Sequence, residues 1–261
     1  MSVKPVRPGI QTIERAATIL RLLSGGSRRL GVAELARELA VPKGTVHGIL
    51  RTLALVGFVE QHNDSGKYQL SAGLLPLGFS YLEANELRMG ALNATHSLAM
   101  QSGESVRVGT LHEHQVLVVH HVSRPDDSRR ALEVGSLMPA HATALGKALL
   151  APHRELVTEF VGADLPRYTP ATVTAIRRLL GELDDVSERG WGCEVGELVP
   201  GIASIAAPIE DRELVKIGAI GIEGSIERIC QDGSPRAELV AHVIESARSA
   251  SRELGATRWA G

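Results

Sequence analysis

Aromatic side chains are scarce in this sequence: three Phe, three Tyr and two Trp among 261 residues. So few stacking platforms argue against single-stranded nucleic-acid binding by base stacking. Cysteine is scarcer still. Cys193 and Cys230 cannot staple a chain of this length, and two thiolates alone do not make a Cys-rich zinc site. Their number suits a reducing cytoplasm. No run of about 18 apolar residues occurs, so no segment reads as a membrane-spanning helix. Residues 1–9 lack the apolar stretch of a secretory signal. Catalytic signatures are missing too: there is no P-loop, no His-Glu-x-x-His helix, and no nucleophile elbow around Ser204. What is present is 44% hydrophobic and 22% charged residues, a globular composition, over a length that fits one large or two ordinary domains. The expectation is a soluble, cytoplasmic, two-domain protein with no membrane association and no cofactor.

The net charge of −2 hides an asymmetry. Through residue 75, ten basic and five acidic residues give +5; the other 18 basic and 25 acidic residues give −7. A basic module on an acidic body points to a polyanionic partner. The local pattern agrees. Ile13, Ala16, Ala17, Leu20 and Leu23 recur at helical spacing, as do Val32, Leu35, Ala36 and Leu39. Val46, Ile49, Leu50 and Leu53 form the stripe of a third helix, with Pro42 suited to its first turn and Gly57 closing it. Phe58–Gln61 and Lys67–Leu70 then flank Asn63-Asp64-Ser65-Gly66, a hairpin with turn chemistry. Three short helices and a hairpin spell a winged helix-turn-helix over residues 9–71.

In such a fold the third helix enters the major groove of double-stranded DNA. Its outward face carries Lys43, Gly44, Thr45, His47, Gly48 and Arg51. Lys43 and Arg51 suit phosphate or guanine, and Thr45 a phosphate or a thymine methyl. Each helical glycine costs about 1 kcal/mol against Ala. Close approach to DNA offsets that cost, and so does tight packing on a neighbouring helix; the sequence leaves both open. His47 reads equally as a solvated surface residue. Lys67, on the wing, reads as a phosphate or minor-groove contact.

Gln11-Thr12-Ile13-Glu14-Arg15-Ala16, the Glu34-Leu35-Ala36 helix and Lys43-Gly44-Thr45-Val46-His47 resemble the N-terminal domain of IclR-family transcriptional regulators. So does Gly66-Lys67-Tyr68-Gln69-Leu70 leading into Leu75-Pro76-Leu77-Gly78. The resemblance continues through residues 138–150, Gly190-Trp191-Gly192 and residues 197–209, in the family's order and over nearly the whole chain. Within the family, residues 120–129 are similar to glycerol-operon regulators of actinomycetes. The resemblance implies a linker helix at 72–90 and a GAF-like effector domain at 91–257. It also implies effector contacts at Ala144, Leu145, Glu194, Ser204, Gly221 and Glu223. Gly221 and Glu223 depart from acid-binding members, in which small hydroxyl residues can stand there. Two carboxylates, Glu194 and Glu223, fit a polyol better than an anion, and the similarity to glycerol-operon regulators implies glycerol or glycerol 3-phosphate as the effector.

The body reads as α+β. Residues 105–111 and 115–122 are β-branched runs joined by His112-Glu113-His114, and residues 132–134 offer a further strand. Residues 141–150 and 173–189 read as helices, 202–209 and 215–222 as strands, and Pro235 as the start of a last helix. Helix-start N–H groups near Thr143 suit an anion or a hydroxyl. His112, His114, His120 and His121 carry metal-binding chemistry without a signature spacing, and His141 reads as structural; no metal site is assigned. The expected function is ligand-controlled transcriptional regulation, as a repressor of a catabolic operon, by a homodimer or homotetramer. The alternatives are a metal-dependent or hydrolytic enzyme with an incidental helix-turn-helix, and a protein-binding scaffold. No convergent acid–base set supports the enzyme.

Overall fold

The computed structural model describes residues 9–25, 29–124, 133–159 and 165–256. The chain divides into two compact units, 1–84 and 85–261. The first contains helices α1 (Gln11–Ser24), α2 (Val32–Glu38) and α3 (Lys43–Leu55), a hairpin of β1 (Val59–Gln61) and β2 (Tyr68–Leu70), and helix α4 (Leu75–Glu83). Its core is Ile19, Leu23, Leu35, Val46, Ile49, Leu50, Leu53, Val59 and Tyr68. The apolar stripes of α2 and α3 are the ones the periodicity predicts. The stripe of α1 is shifted: Ile19 is buried, whereas Ile13 is 63% exposed, with nothing among the described residues covering the first turn. Pro42 stands one position earlier than expected, at the N-cap of α3, where its carbonyl accepts from Thr45 and Val46 N–H. Gly57 and Gly66 take φ of +79° and +63°, the left-handed backbone that ends α3 and turns the hairpin.

The sequence reading places one linker helix over 72–90. The chain instead ends α4 at Glu83 and begins α5 (Glu86–Ser102) with an Asn85 cap, its Oδ1 accepting from Arg88 N–H at 2.8 Å. Pro76 stands in the first turn of α4. Leu75, Leu77, Phe79 and Tyr81 of α4 are all at least half exposed.

The second unit follows α5 with β3 (Ser105–His112), β4 (Gln115–Val122), β5 (Leu137–Pro139), α6 (Ala144–Leu150), α7 (Arg154–Glu159) and α8 (Ile176–Arg189). Then come β6 (Gly192–Val195), β7 (Ile202–Glu210), β8 (Lys216–Ser225), α9 (Ile226–Ile229), a short hairpin of β9 (Cys230–Gln231) and β10 (Ser234–Pro235), and α10 (Ala237–Glu253). Six strands form one antiparallel sheet in the order β5-β4-β3-β8-β7-β6. Helices α5 and α10 cover one face over Val106, Val108, Ile205, Ile209, Ile220 and Ile222. Helices α6 and α8 cover the other, over Ala206 and Ala219. Several expected boundaries move: the helices expected at 141–150 and 173–189 begin at Ala144 and Ile176, the first behind a 3-10 turn at Ala140–Ala142, and the strand expected at 215–222 runs Lys216–Ser225. Leu132 lies outside the described residues and Val134 is in a turn, so the strand there is β5. Pro235 ends the β9–β10 hairpin, and α10 starts two residues later.

Helix α6 is anchored by a buried charge. Lys147 is 1% exposed, and its Nζ donates to Glu182 at 2.7 Å and to Glu197. Burial pushes the Glu197 carboxyl above its ordinary range despite the adjacent Lys147. Removing one partner of a buried pair strands the other charge, at about 3–5 kcal/mol. Lys147→Ala is therefore expected to destabilise the second unit by about that amount. Denaturant unfolding of the full chain checks it; a loss under about 1 kcal/mol would show that water already screens the pair.

Candidate functional site

On α3, Val46, Ile49, Leu50 and Leu53 are buried while Lys43, Gly44, His47, Gly48 and Arg51 are exposed and Thr45 half-buried. A Cβ built on Gly44 or Gly48 meets no atom within 4 Å. Tight packing on a neighbouring helix therefore does not explain either glycine within this chain. Both border an apolar cleft of about 470 Å³ shared with Thr12, Ile13 and Ala16 of α1. Lys67 is placed differently from the other cations. Its Nζ donates to Glu34 Oε1 at 3.1 Å, while Glu34 Oε2 accepts from Gly31 N–H. The Gly31 N–H first, and Lys67 second, hold the Glu34 carboxyl below its ordinary range. Lys67 thus ties the wing to α2 and keeps two further N–H donors for a phosphate.

In the second unit, five of the six expected effector residues come together: strand alternation turns Ser204, Gly221 and Glu223 towards α6, which carries Ala144 and Leu145. On β7, Ile205, Ala207 and Ile209 join the core under α5 and α10. Ser204 and Ala206 have the opposite parity and face α6. On β8, Ile220 and Ile222 face the first core, while Gly221 and Glu223 face α6. The register then aligns Glu194, Ser204, Glu223 and Ser105 across four strands. The neighbouring row is Gly192, Ala206, Gly221, Arg107 and His121. A narrow cleft of about 10 Å³, room for a single water, lies where these rows meet Thr143, Ala144 and Leu145 at the start of α6. Met138 and Arg107 complete it.

Glu194 is one layer back. It does not line this cleft, but its Oε1 accepts from Ser204 Oγ at 3.0 Å and its Oε2 from Glu197 N–H at 2.9 Å. Gly221 contributes space rather than a contact group. A Cβ there would sit 2.5 Å from the Ile205 carbonyl oxygen, so even a small hydroxyl residue would force the β7–β8 pair apart. Thr143 caps α6, accepting from Gly146 N–H at 3.2 Å and donating to the Pro139 carbonyl at 2.9 Å.

The residue missed by sequence reasoning is Arg107. Its side chain is 11% exposed, and the guanidinium grips Glu133 through Nε and Nη2 and Glu223 through Nη1. A signal was available: Arg107 alternates with Val106 and Val108, an uncompensated charge inside a buried strand. The histidines do not assemble. His112 and His114 are exposed at the β3–β4 tip. His120 lies against His96, ring centroids 6.0 Å apart. Among the described residues no three His, Cys, Asp or Glu side chains gather as a metal site. His141 is 4% exposed with Nε2 2.9 Å from the Pro166 carbonyl, a structural placement.

Burial pushes Glu194 up to about 7 from an ordinary value of 4.5, against the opposing hydrogen bonds from Glu197 N–H and Ser204. A carboxyl raised on folding stabilises the fold fully below its unfolded value, and that stability is lost as pH rises through the folded one. Between about pH 4.5 and 7 the loss amounts to about 3 kcal/mol. His120 has the opposite sign: burial first, then the charges of Arg88 and its neighbouring histidines, lowers it to about 4. Its stability is lost as pH falls below about 6.5. Glu194→Gln isolates the first effect. Its unfolding free energy minus that of wild type is expected to rise by about 2–3 kcal/mol from pH 5 to pH 8. A difference flat across that range shows that Glu194 titrates as an ordinary carboxylate.

Residues 12–63 match the IclR helix-turn-helix domain, and residues 79–252 the family described as bacterial transcriptional regulator IclR C-terminal. The glycerol operon regulatory protein of Streptomyces coelicolor is 52% identical over 250 residues, covering 96% of this chain and 98% of its own length. Its Streptomyces griseus counterpart is 49% identical with the same coverage. The HTH-type transcriptional regulator KdgR of Escherichia coli is 30% identical over 94% of this chain and 93% of its own. The crystal structure of an IclR transcriptional regulator from Alicyclobacillus acidocaldarius superposes with a TM-score of 0.79 at 27% identity, covering 95% of this chain and all of that one. These relatives are regulators, and nothing among them supports the enzyme alternative. With both domains matched in order, the chain belongs to the IclR family of bacterial transcriptional regulators, DNA-binding proteins of α+β fold.

Proposed function

We propose that this regulator represses a glycerol-utilisation operon and that glycerol or glycerol 3-phosphate, held between α6 and the β7–β8 face, controls its affinity for operator DNA. The observation that carries this reading is the near-full-length identity of about one half to two proteins named glycerol operon regulatory protein. The cleft supports it independently, because Ser204, Glu223 and Arg107 are hydrogen-bonding groups of the kind a small polyol needs. The part of the glycerol-regulator-like stretch from 125 to 129 lies outside the described residues.

On this reading Lys43, Gly44, Thr45, His47, Gly48 and Arg51 face the major groove, the glycines letting the duplex approach the helix. Footprinting on the DNA upstream of the gene, with and without each compound, is expected to show a protected site whose occupancy changes with ligand. Protection indifferent to both compounds removes the glycerol assignment and leaves the regulator standing. Arg51→Ala and Lys43→Ala are each expected to weaken operator binding by about tenfold, the worth of one good contact. A lost phosphate contact also flattens the salt dependence by about 0.9 in log–log slope. A variant that keeps both affinity and slope places that residue off the interface.

A homo-oligomer is part of the same proposal. One recognition helix reads only a few base pairs, whereas a two-fold dimer presents two helices to successive major grooves. The exposed Leu75, Leu77, Phe79 and Tyr81 of α4 are the apolar surface offered for association. Leu75 and Phe79 share one face at i, i+4. Sedimentation at micromolar concentration is expected to give at least a dimer, and Leu75→Glu with Phe79→Glu to shift it towards monomer. A wild-type monomer under those conditions contradicts the assignment.

A further inference from the structure

We infer that the effector cleft selects a neutral, hydroxyl-bearing ligand and rejects the phosphorylated or carboxylated form of the same molecule. The inference rests on the effector reading above and sharpens it. The first ground is hydrogen-bond polarity. Ser204 has one hydroxyl proton, and it is committed to Glu194 Oε1 at 3.0 Å. Towards the cleft Ser204 therefore offers only lone pairs, and an ionised Glu223 likewise only accepts. A ligand satisfies such a wall by bringing donors, as an alcohol does. A phosphate monoester or a carboxylate brings acceptors at neutral pH and leaves acceptor facing acceptor.

The second ground is charge. Arg107 is the cation that lines the cleft among the described residues. It is already shared between two carboxylates: Nε and Nη2 serve Glu133 and Nη1 serves Glu223, which commits three of its five N–H donors. One guanidinium against two carboxylates leaves a local charge of −1. His121 Nε2, 3.7 Å from Glu133, offsets this only when protonated. Lys147, on the helix above, contributes nothing further because Glu182 and Glu197 both hold it. A phosphate monoester carries about −1.5 to −2 at neutral pH. It must either sit against that negative field or pull Arg107 from a carboxylate that then stays in a poorly hydrated site unpaired. A neutral polyol donates to Glu223 and Ser204 with the Arg107 pairs intact.

Calorimetric titration of the full-length protein at pH 7.5 with glycerol, erythritol, glycerol 3-phosphate and glycerate tests this. Glycerol is expected to bind at least tenfold more tightly than either glycerol 3-phosphate or glycerate. Glu223→Gln keeps the shape, removes one negative charge and frees Arg107 Nη1, so the preference for glycerol over glycerol 3-phosphate is expected to shrink at least tenfold. Circular dichroism confirms that the variant is folded, and Ser204→Ala provides a second probe by weakening glycerol and erythritol about tenfold through loss of the acceptor. Equal or tighter binding of glycerol 3-phosphate or glycerate to wild type overturns the inference and leaves the effector reading intact. Binding of none of the four overturns both.

Discussion

The architecture of the second unit depends on how closely α6 lies against the backbone around it. Gly146 has the Ala140 carbonyl oxygen 2.0 Å from where a Cβ would be, and Gly192 of β6 has the Ala144 carbonyl oxygen at 3.0 Å. Any side chain at Gly146 pushes the helix off the 3-10 turn that precedes it. Any at Gly192 pushes it off the sheet edge. With both positions bare, Lys147 reaches into the interior and finds Glu182 and Glu197. This ion pair is no bonus of stability by itself, since dehydrating three charges costs about what their attraction returns. Its effect is to fix where α6 can sit, because every displaced position leaves a charge in a dry site without its partner.

A fixed helix defines a fixed roof, and the sheet beneath supplies the floor by simple parity. Antiparallel order brings β6, β7, β8 and β3 side by side although β3 is about 80 residues from β6 in sequence. The apolar parity of each strand is consumed by the α5–α10 layer, so the polar parity is left facing α6. The same alternation that builds the core therefore gathers Ser204, Glu223 and Arg107 in one place. Their partners Glu194 and Glu133 lock them from behind. Groups held in this way are preorganised, which matters for a small ligand that has few atoms with which to offset ordering costs.

Legibility followed periodicity. The stripes on α2 and α3, the wing turn and the β3–β4 hairpin were readable because each is a local pattern that its own packing satisfies. Ile13 misled because its stripe continues past the end of the surface that covers α1. The break at Ala84-Asn85 was hidden by a run of helix formers on either side, although the Asn85 cap was a readable signal. At the cleft, the family resemblance named Ala144, Leu145, Ser204, Gly221 and Glu223, and strand parity explains why the three on β7 and β8 meet the two on α6. Arg107 was passed over because a single charge in a strand reads as solvated until its cross-strand partners are known, and Glu133 is 26 residues away. The ion pair of Lys67 with Glu34 was not legible either, because the two are 33 residues apart and meet only in three dimensions.

The distribution of charge has a consequence for how little the ligand must do. Most of the affinity of a DNA-binding protein for any duplex comes from phosphate neutralisation, and the +5 of the first 75 residues against −7 elsewhere confines that term to one unit. The effector unit adds repulsion rather than grip. On the proposed reading, operator affinity rests on a short set of contacts made by α3, each worth about 1–3 kcal/mol where it reads a base. Coupling between a ligand and DNA is typically about 1–3 kcal/mol, the same size. A ligand-linked change that costs a single such contact is therefore enough to clear an operator. On the proposed reading, a ligand in the cleft of the second unit has therefore to displace no more than one such contact at the DNA.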